Sequence, residues 1–291
     1  MNVCLVTFAT TARFRRNQLL LNESALAVAG FTEVSPWDSE RFQREEFYQL
    51  HRNILDQKRG GGYWLWKPYI ILQELKRLND GDYVVYSDCG RRPQSFSRRI
   101  DTLLEWCSDN GGVLPGVYVP HWGANRRWTK RDCFVLMGCD HEEYWNPCQV
   151  QAAFSVWQKN ELSLSFVEKW LHYCTDERIL TDIPNTCGLP HFADFVDHRH
   201  DQSVLTLCTL TEGLRGLGDP LGHRPFCDND KRIDSVLAKL GAPRVTRVYR
   251  TALGAAVYRI WFWIRSLDAL KARRCATWLT NLTLRCSGRL R

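Results

Sequence analysis

None of the twelve cysteines stands in a C-x-x-C pair, and none joins histidines at zinc-ligand spacing. That excludes a zinc ribbon or a dithiol redox motif, and the scattered thiols read as reduced, in a cytosolic setting. Low-complexity tracts and internal repeats are missing, which removes solenoids and extended disorder. Neither G-x-x-x-x-G-K-[ST] nor G-x-G-x-x-G occurs, so neither familiar phosphate-cradling loop is present. Nothing at the start resembles a secretory signal, since Met1 leads into "NVCLVTFAT", a strand pattern, and the sequons at Asn22 and Asn281 then read as chance matches.

What is there is an ordinary globular composition, 44% hydrophobic and 24% charged, in 291 residues, enough for one large α/β domain plus an appendage. The net charge of +7 is unevenly placed. Residues 241–291 hold eleven Arg and Lys against Asp268 alone, a charge of +10 that exceeds the whole and leaves −3 for residues 1–240. We therefore expect a mildly acidic body over 1–240 and a basic tail over 241–291.

Along the body, apolar strands alternate with helical periods. "NVCLVTFAT" precedes the helix pattern "NQLLLNESALAVAGF", with Gly30 at a C-cap position, and "TEVSPWD" returns as a strand. Residues 39–58 show helical spacing, as does "KPYIILQELKRL", which leads through "NDGD" into the apolar strand "YVVYS" ending on Asp88. Downstream, "SFSRRIDTLLEWCSDN" reads as a helix, "GVLPGVYVP" as a strand, and "TKRDCFVLMGC" as a helix capped by Thr129. "PCQVQAAFSVWQKN" reads as strand, turn and restart, and "LSLSFVEKWLHYCTD" as an amphipathic helix. "FVDHRHDQSVLTLCTL" places charged and imidazole groups ahead of a final apolar helix. The order points to an α/β body.

In open α/β sheets ligands bind beyond the carboxyl ends of the strands, so Asp88 is the first candidate site residue. Arg91 and Arg92 follow it, and two guanidinium forks suit a pyrophosphate. The run "GGGYWLWKP" offers Trp64 and Trp66 for stacking on a base or sugar, or as rings wedged under a helix, with Lys67 near a helix start that favours anions. In "DHRHDQS", His198, His200 and Asp201 lie within four residues. His200 or Asp201 fits a metal site begun by Asp88, Asp201 also fits a general base, and Gln202 fits the orientation of sugar hydroxyls.

The segments "RGGGYWLWKPYIILQEL", "GDYVVYSDCG", "WTKRDCFVLMG" and "HRHDQSVLTL", in this order over about residues 3–212, resemble sugar-nucleotide glycosyltransferases of the GT-A fold. More distantly they are similar to the yeast-type galactosyl- and mannosyltransferases. The resemblance implies a mixed central sheet flanked by helices, and transfer of a sugar from a nucleoside diphosphate sugar to an acceptor hydroxyl. It also implies Mn²⁺ or Mg²⁺ between the diphosphate and strand-end carboxylates, with Asp88 and His200 as ligands. Asp88 and Asp201 are then the catalytic pair, and Trp64, Lys67, Arg91, Arg92 and Gln202 contact the donor. The sequence departs from Asp-x-Asp, since Tyr86 and Gly90 stand where a partner carboxylate would be; without a cation, Lys67, Arg91 and Arg92 are the positive charges left for the diphosphate. Asp194 and Asp197 are further candidate bases. A sugar- or nucleotide-binding protein without catalysis is the alternative reading, and a basic nucleic-acid-associated protein ranks last.

On a helical wheel, residues 244–273 gather Arg244, Arg247, Arg250, Arg259, Arg265 and Arg273 on one half and Tyr249, Leu253, Val257, Ile260, Ile264 and Leu267 on the other. Arginines interrupt every window long enough to span a bilayer, so an in-plane helix at a membrane surface is expected, fitting a glycan or lipid-linked acceptor; the acidic body argues against nucleic acid. Removing residues 243–291 is expected to move the protein from the membrane to the soluble fraction, read by fractionation; unchanged partition would refute an anchoring tail.

Overall fold

The computed structural model describes residues 1–90, 95, 96 and 99–217. Arg91, Arg92 and the basic segment 241–291, with the amphipathic helix expected at 244–273, lie outside the described residues. Among the described residues no helix is long and apolar enough to cross a membrane.

The apolar run at the start forms β1 (Val3–Ala9), buried along its whole length. Helix α1 (Ala12–Ser24) follows, its Thr11 hydroxyl accepting from the Phe14 amide, and a π turn over Ala25–Ala29 ends at Gly30 with φ +86°. Strand β2 (Glu33–Asp38) lies parallel to β1 at the sheet edge, where Pro36 removes no interior ladder bond. Helix α2 (Trp66–Arg77) and β3 (Tyr83–Ser87) complete the parallel part, β3 pairing with the other side of β1. Then come α3 (Asp101–Asp109), β4 (Val113–Leu114), β5 (Val117–Tyr118), α4 (Arg131–Leu136), β6 (Val150–Gln151) and β7 (Phe154–Gln158). Helices α5 (Glu161–Cys174), α6 (Glu177–Leu180) and α7 (Asp201–Thr211) close the described body.

The sheet order is β2-β1-β3-β7-β4, with β7 antiparallel to both β3 and β4, so the expected mixed sheet is present. Alternation along each strand divides the core between its two faces. Cys4, Val6, Val84, Tyr86 and Trp157 pack with Ile70, Ile71, Phe166, Trp170 and Leu205 on one side. Leu5, Val85 and Val156 pack with Leu21, Leu103 and Leu104 on the other. Both faces are covered by helices, which is why β1 and β3 read as unbroken apolar runs.

Three details differ from the sequence pattern. Residues 39–55 form three short helices, Ser39–Gln43, Glu46–Leu50 and Arg52–Leu55, rather than one. A continuous helix would set Phe42 and Ile54 roughly 120° apart, yet both are buried in one core, and the chain breaks to bring them together. The strand expected over 112–120 splits at Pro115-Gly116 into β4 and β5, which join different sheets. A Cβ at Gly116 would stand 2.3 Å from the Gln151 carbonyl oxygen, so the close turn there needs glycine. Thr129 does not cap α4: Lys130 occupies the cap position, and the Thr129 hydroxyl donates instead to Asn125 Oδ1 at 2.7 Å.

The glycine run before α2 is a left-handed turn, with positive φ at every residue from Gly60 to Trp64. At Gly62 a Cβ would meet the Leu55 Cα at 2.6 Å. We expect Gly62→Ala to destabilise the fold by about 3–5 kcal/mol, against about 1–2 kcal/mol for Gly81→Ala, where φ is +85° but nothing lies within 4 Å. Denaturant midpoints of the two variants check the contrast, and equal losses would refute it.

Candidate functional site

Strand β3 enters the sheet between β1 and β7 and delivers Asp88 just past its carboxyl end. The Asp88 amide donates to the Ala153 carbonyl at 2.8 Å, which fixes the residue against the β6–β7 turn. Its side chain is 38% exposed. Period-two geometry puts Tyr86 on the same face of β3, and the buried Tyr86 hydroxyl donates to Asp88 Oδ1.

Lys67 reaches the same place from the first turn of α2. Its side chain is 4% exposed, and its ammonium has three oxygens around it: Ala152 O at 3.0 Å, Asp201 Oδ2 at 3.0 Å and Asp88 Oδ1 at 3.5 Å. The contact to Asp201 is an ion pair rather than an aligned hydrogen bond. Nζ also lies 5.2 Å from the centre of the Tyr86 ring and 5.8 Å from that of Trp66. Burial opposes the lysine charge, but Asp201 and Asp88 outweigh it and hold Lys67 above its ordinary pKa. Burial likewise pushes the Asp201 carboxyl up to about 6, against the pull of Lys67. Tyr86 and Lys67 are both on Asp88 Oδ1, and Oδ2 has no contact among the described residues.

Asp201 opens α7, and its neighbour Gln202 is spent inside the protein: its amide donates to Gln149 Oε1 at 2.7 Å and its carbonyl oxygen accepts from the Ala152 amide at 3.4 Å. Gln149 in turn donates to Asn125, Thr129 and Ser203. Gln202 therefore fixes the β6–β7 turn that carries the Ala152 and Ala153 carbonyls. Trp66 is buried, stacked 4.0 Å from Phe8, with its indole N–H on the Gly60 carbonyl. Trp64 is half-buried between the Gly60 backbone and His200, whose ring is 5.6 Å away and nearly parallel.

His198 and His200 hold α6. His198 accepts from the Lys130 amide at Nδ1 and donates from Nε2 to the Ile179 carbonyl at 2.9 Å. His200 donates from Nδ1 to the Leu180 carbonyl at 2.8 Å. Burial pushes both imidazoles down, His200 to about 4, so both are neutral at pH 7. His200 Nε2 faces Asp182 Oδ1 at 3.8 Å rather than Asp88, and no contact joins His200 to Asp88 among the described residues. Asp194 pairs with Arg126 at 3.2 Å, and Asp197 with Arg59 at 2.7 Å.

The stretch 182–200 carries no helix or strand, and some of its backbone groups are met by buried charges at the start of α4. The Asp132 carboxylate accepts from the Thr186 and Cys187 amides at 2.8–2.9 Å, and the Lys130 ammonium donates to the Ile183 carbonyl at 2.7 Å. These contacts give a long loop a fixed course.

The structure thus brings Asp88, Lys67 and Asp201 into one cluster, uses Gln202 and Trp66 as supports, and turns His200 toward Asp182. Tyr86 and Asp182 were not foreseen. The i, i+2 relation to Asp88 was the signal available for Tyr86; Asp182 had none, because only the loop's tertiary course brings it to His200. Among the described residues, the one group of three His, Cys or acidic side chains within common ligand distance is Cys4, Glu33 and Glu74. Arg77 fills that group, pairing with Glu33 and with Glu74 at 2.8 Å, so it is a closed ion cluster.

No family model matches the chain, and no curated protein matches its sequence. Among solved structures, the chain is similar to mouse xyloside xylosyltransferase 1 in its apo form, at 13% identity and a TM-score of 0.38, covering 73% of this chain and 83% of that one. A likeness of that size says nothing of activity.

Replacing Lys67 by Met leaves Asp88 and Asp201 side by side without their cation. We expect a loss of about 3–5 kcal/mol at pH 7. Asp201 already has a folded pKa above its unfolded value, so its ionisation lowers stability as pH rises from about 4 to about 6. The loss in Lys67→Met should accordingly shrink at pH 5, where Asp201 is mostly protonated. Urea midpoints at pH 5 and 7 check this, and a loss equal at both pH values would refute it.

Proposed function

We propose that the protein is a nucleotide-sugar-dependent glycosyltransferase of the GT-A type. The observation that carries the reading is Asp88: a half-exposed carboxylate beyond the end of a central strand, held on Oδ1 by Tyr86 and Lys67, with no contact of Oδ2 among the described residues. The motif resemblance along residues 3–212 supports it, as does the mixed α/β sheet with its ligand edge at the strand ends.

In this reading Asp88 Oδ2 faces the diphosphate of the donor. One outward carboxylate oxygen suits Mn²⁺ or Mg²⁺, which take oxygen ligands and complete their shell with substrate phosphates. Such a cation would neutralise charge on the departing diphosphate. Lys67 acts as a positioning residue, its ammonium set among the Ala152 carbonyl, Asp201 and Asp88 rather than facing outward. Asp201, 5% exposed and paired with Lys67, sets the place of that ammonium from behind. The acceptor hydroxyl belongs to a glycan or lipid-linked molecule, and the basic segment 244–273 would hold the enzyme at the cytoplasmic face of a membrane.

A thermal-shift screen of UDP-, GDP- and other nucleotide sugars, with and without Mn²⁺, tests this. A true donor at about a hundredfold its Kd adds about 2.7 kcal/mol, which for a domain of this size raises Tm by about 5–10 °C. Where the shift needs Mn²⁺, Asp88→Asn should abolish it while melting like the parent without ligand. If no nucleotide sugar shifts Tm under either condition, the reading fails.

A further inference from the structure

A groove of about 600 Å³ opens to solvent where the ends of α4 and α5 meet α6 and the short helix Arg52–Leu55. Its size falls in the range of small-molecule sites, roughly 300–1,000 Å³. Lys67, Asp88 and Asp201 take no part in its lining, so it is a place apart from the cluster at the end of β3.

The lining mixes apolar surface with polar groups that are free to bind. Leu136 and Ile179 supply aliphatic surface, and the rings of Tyr173 and His172 stand 5.4 Å apart at 60° to each other. Arg178 is held by Asp176, to which Nε and Nη2 donate at 3.0 and 2.5 Å, and its Nη1 has no partner among the described residues. Asn53 donates weakly to Glu177 Oε2 at 3.4 Å. Glu177 Oε1, the Asn53 side-chain oxygen and the Tyr173 hydroxyl make no hydrogen bond among the described residues. Asn53, Glu177 and Arg178 are all exposed.

Charge and shape select the ligand. Two carboxylates, Asp176 and Glu177, stand against one guanidinium, a balance that disfavours a phosphate or a nucleotide. Asp176 is engaged by Arg178, and among the described residues no trio of His, Cys or acidic groups gathers here at metal-ligand distance. Helix ends form the walls, so there is neither an open strand edge nor a long apolar stripe for a peptide. A saccharide suits what is left: planar amide, carboxylate and guanidinium groups exchange hydrogen bonds with hydroxyls, and rings with aliphatic side chains cover the C–H face of a pyranose.

We infer that this groove binds a neutral oligosaccharide, with Tyr173 and His172 against the sugar face and Asn53, Glu177 and Arg178 on its hydroxyls. On the glycosyltransferase reading the bound sugar is a distal part of the glycan acceptor, and that clause alone rests on the reading. The groove is also tied to the strand-end cluster, because the carbonyls of Ile179 and Leu180 on α6 accept from His198 and His200, just ahead of Asp201.

Saturation-transfer NMR on the full-length protein tests this, with xylotriose, cellotriose, maltotriose and mannotriose at millimolar concentration. At least one should receive magnetisation from the protein. Glu177→Ala should weaken its binding about tenfold, since a charged acceptor is lost, and Asn53→Ala should weaken it as well. Both positions are exposed and their side chains meet only each other, so the two variants should melt like the parent. If no trisaccharide receives transfer, or if both variants bind as tightly as the parent, the groove is refuted. Binding should persist in Asp88→Asn, and its loss there would put the sugar at the strand end instead. The nucleotide-sugar thermal shift is a separate readout: a shift with no trisaccharide bound sinks the groove alone, whereas a bound trisaccharide with no shift sinks only the transferase reading.

Discussion

A single buried ammonium holds the candidate site together. Lys67 comes from α2, Asp88 from the end of β3, Ala152 from the β6–β7 turn and Asp201 from the start of α7, and all four meet within 3.5 Å of one nitrogen. An unpaired lysine at 4% exposure would discharge or unfold its surroundings; with two carboxylates and a carbonyl it stays charged. The sheet edge is in this way tied to a helix that lies far along the chain. Asp88 takes its place from the arrangement, because Tyr86 and Lys67 both engage Oδ1.

Much of the scaffold was legible in sequence because both sheet faces are covered. A strand buried on two sides needs apolar residues throughout, and "VCLVTFA" and "YVVYS" announce themselves for that reason. Asp88 stood out as the polar residue at which such a run stops. The partners around it were less visible. Lys67 reads as an anion contact at a helix start, because nothing in the local pattern shows that Asp201, more than a hundred residues later, closes over it. Gln202 suits a sugar contact by its place after Asp201, but its amide faces Gln149 and its carbonyl oxygen the Ala152 amide. His200 is the clearest case: its spacing suited a metal ligand beside Asp88, yet the ring turns on a left-handed backbone toward α6 and Asp182.

The same tertiary logic explains "GGGYWLWKP". Five successive positive φ angles form a turn of opposite hand to every helix around it, and only glycine enters such a turn without strain. Tyr63 and Trp64 extend the left-handed run past the glycines and carry the strain. What holds them is contact: Gly60 packs under the Trp64 ring, and His200 lies over it. The tryptophans that suggested stacking on a base are thus mostly engaged with the protein, Trp66 on Phe8 and Trp64 on His200, and they stiffen the entry to α2 so that Lys67 arrives at a fixed point.

Charge sets the last constraint on how the site works. Asp88, Asp201 and Lys67 together carry one negative charge, which falls toward zero as Asp201 takes up a proton below about pH 6. Such a cluster would repel a diphosphate on its own, since the Lys67 charge is already shared with two carboxylates. On the proposed reading, positive charge would come from outside the cluster: Arg91 and Arg92 follow Gly90 in sequence, and the Asp88 carboxylate could ligate a divalent ion. The two sources act differently: arginines would bind the diphosphate whether or not Asp88 is ionised, but a metal would bind through Asp88. The role of Asp88 thus separates them, since its carboxylate is indispensable in the second case and a mild hindrance in the first.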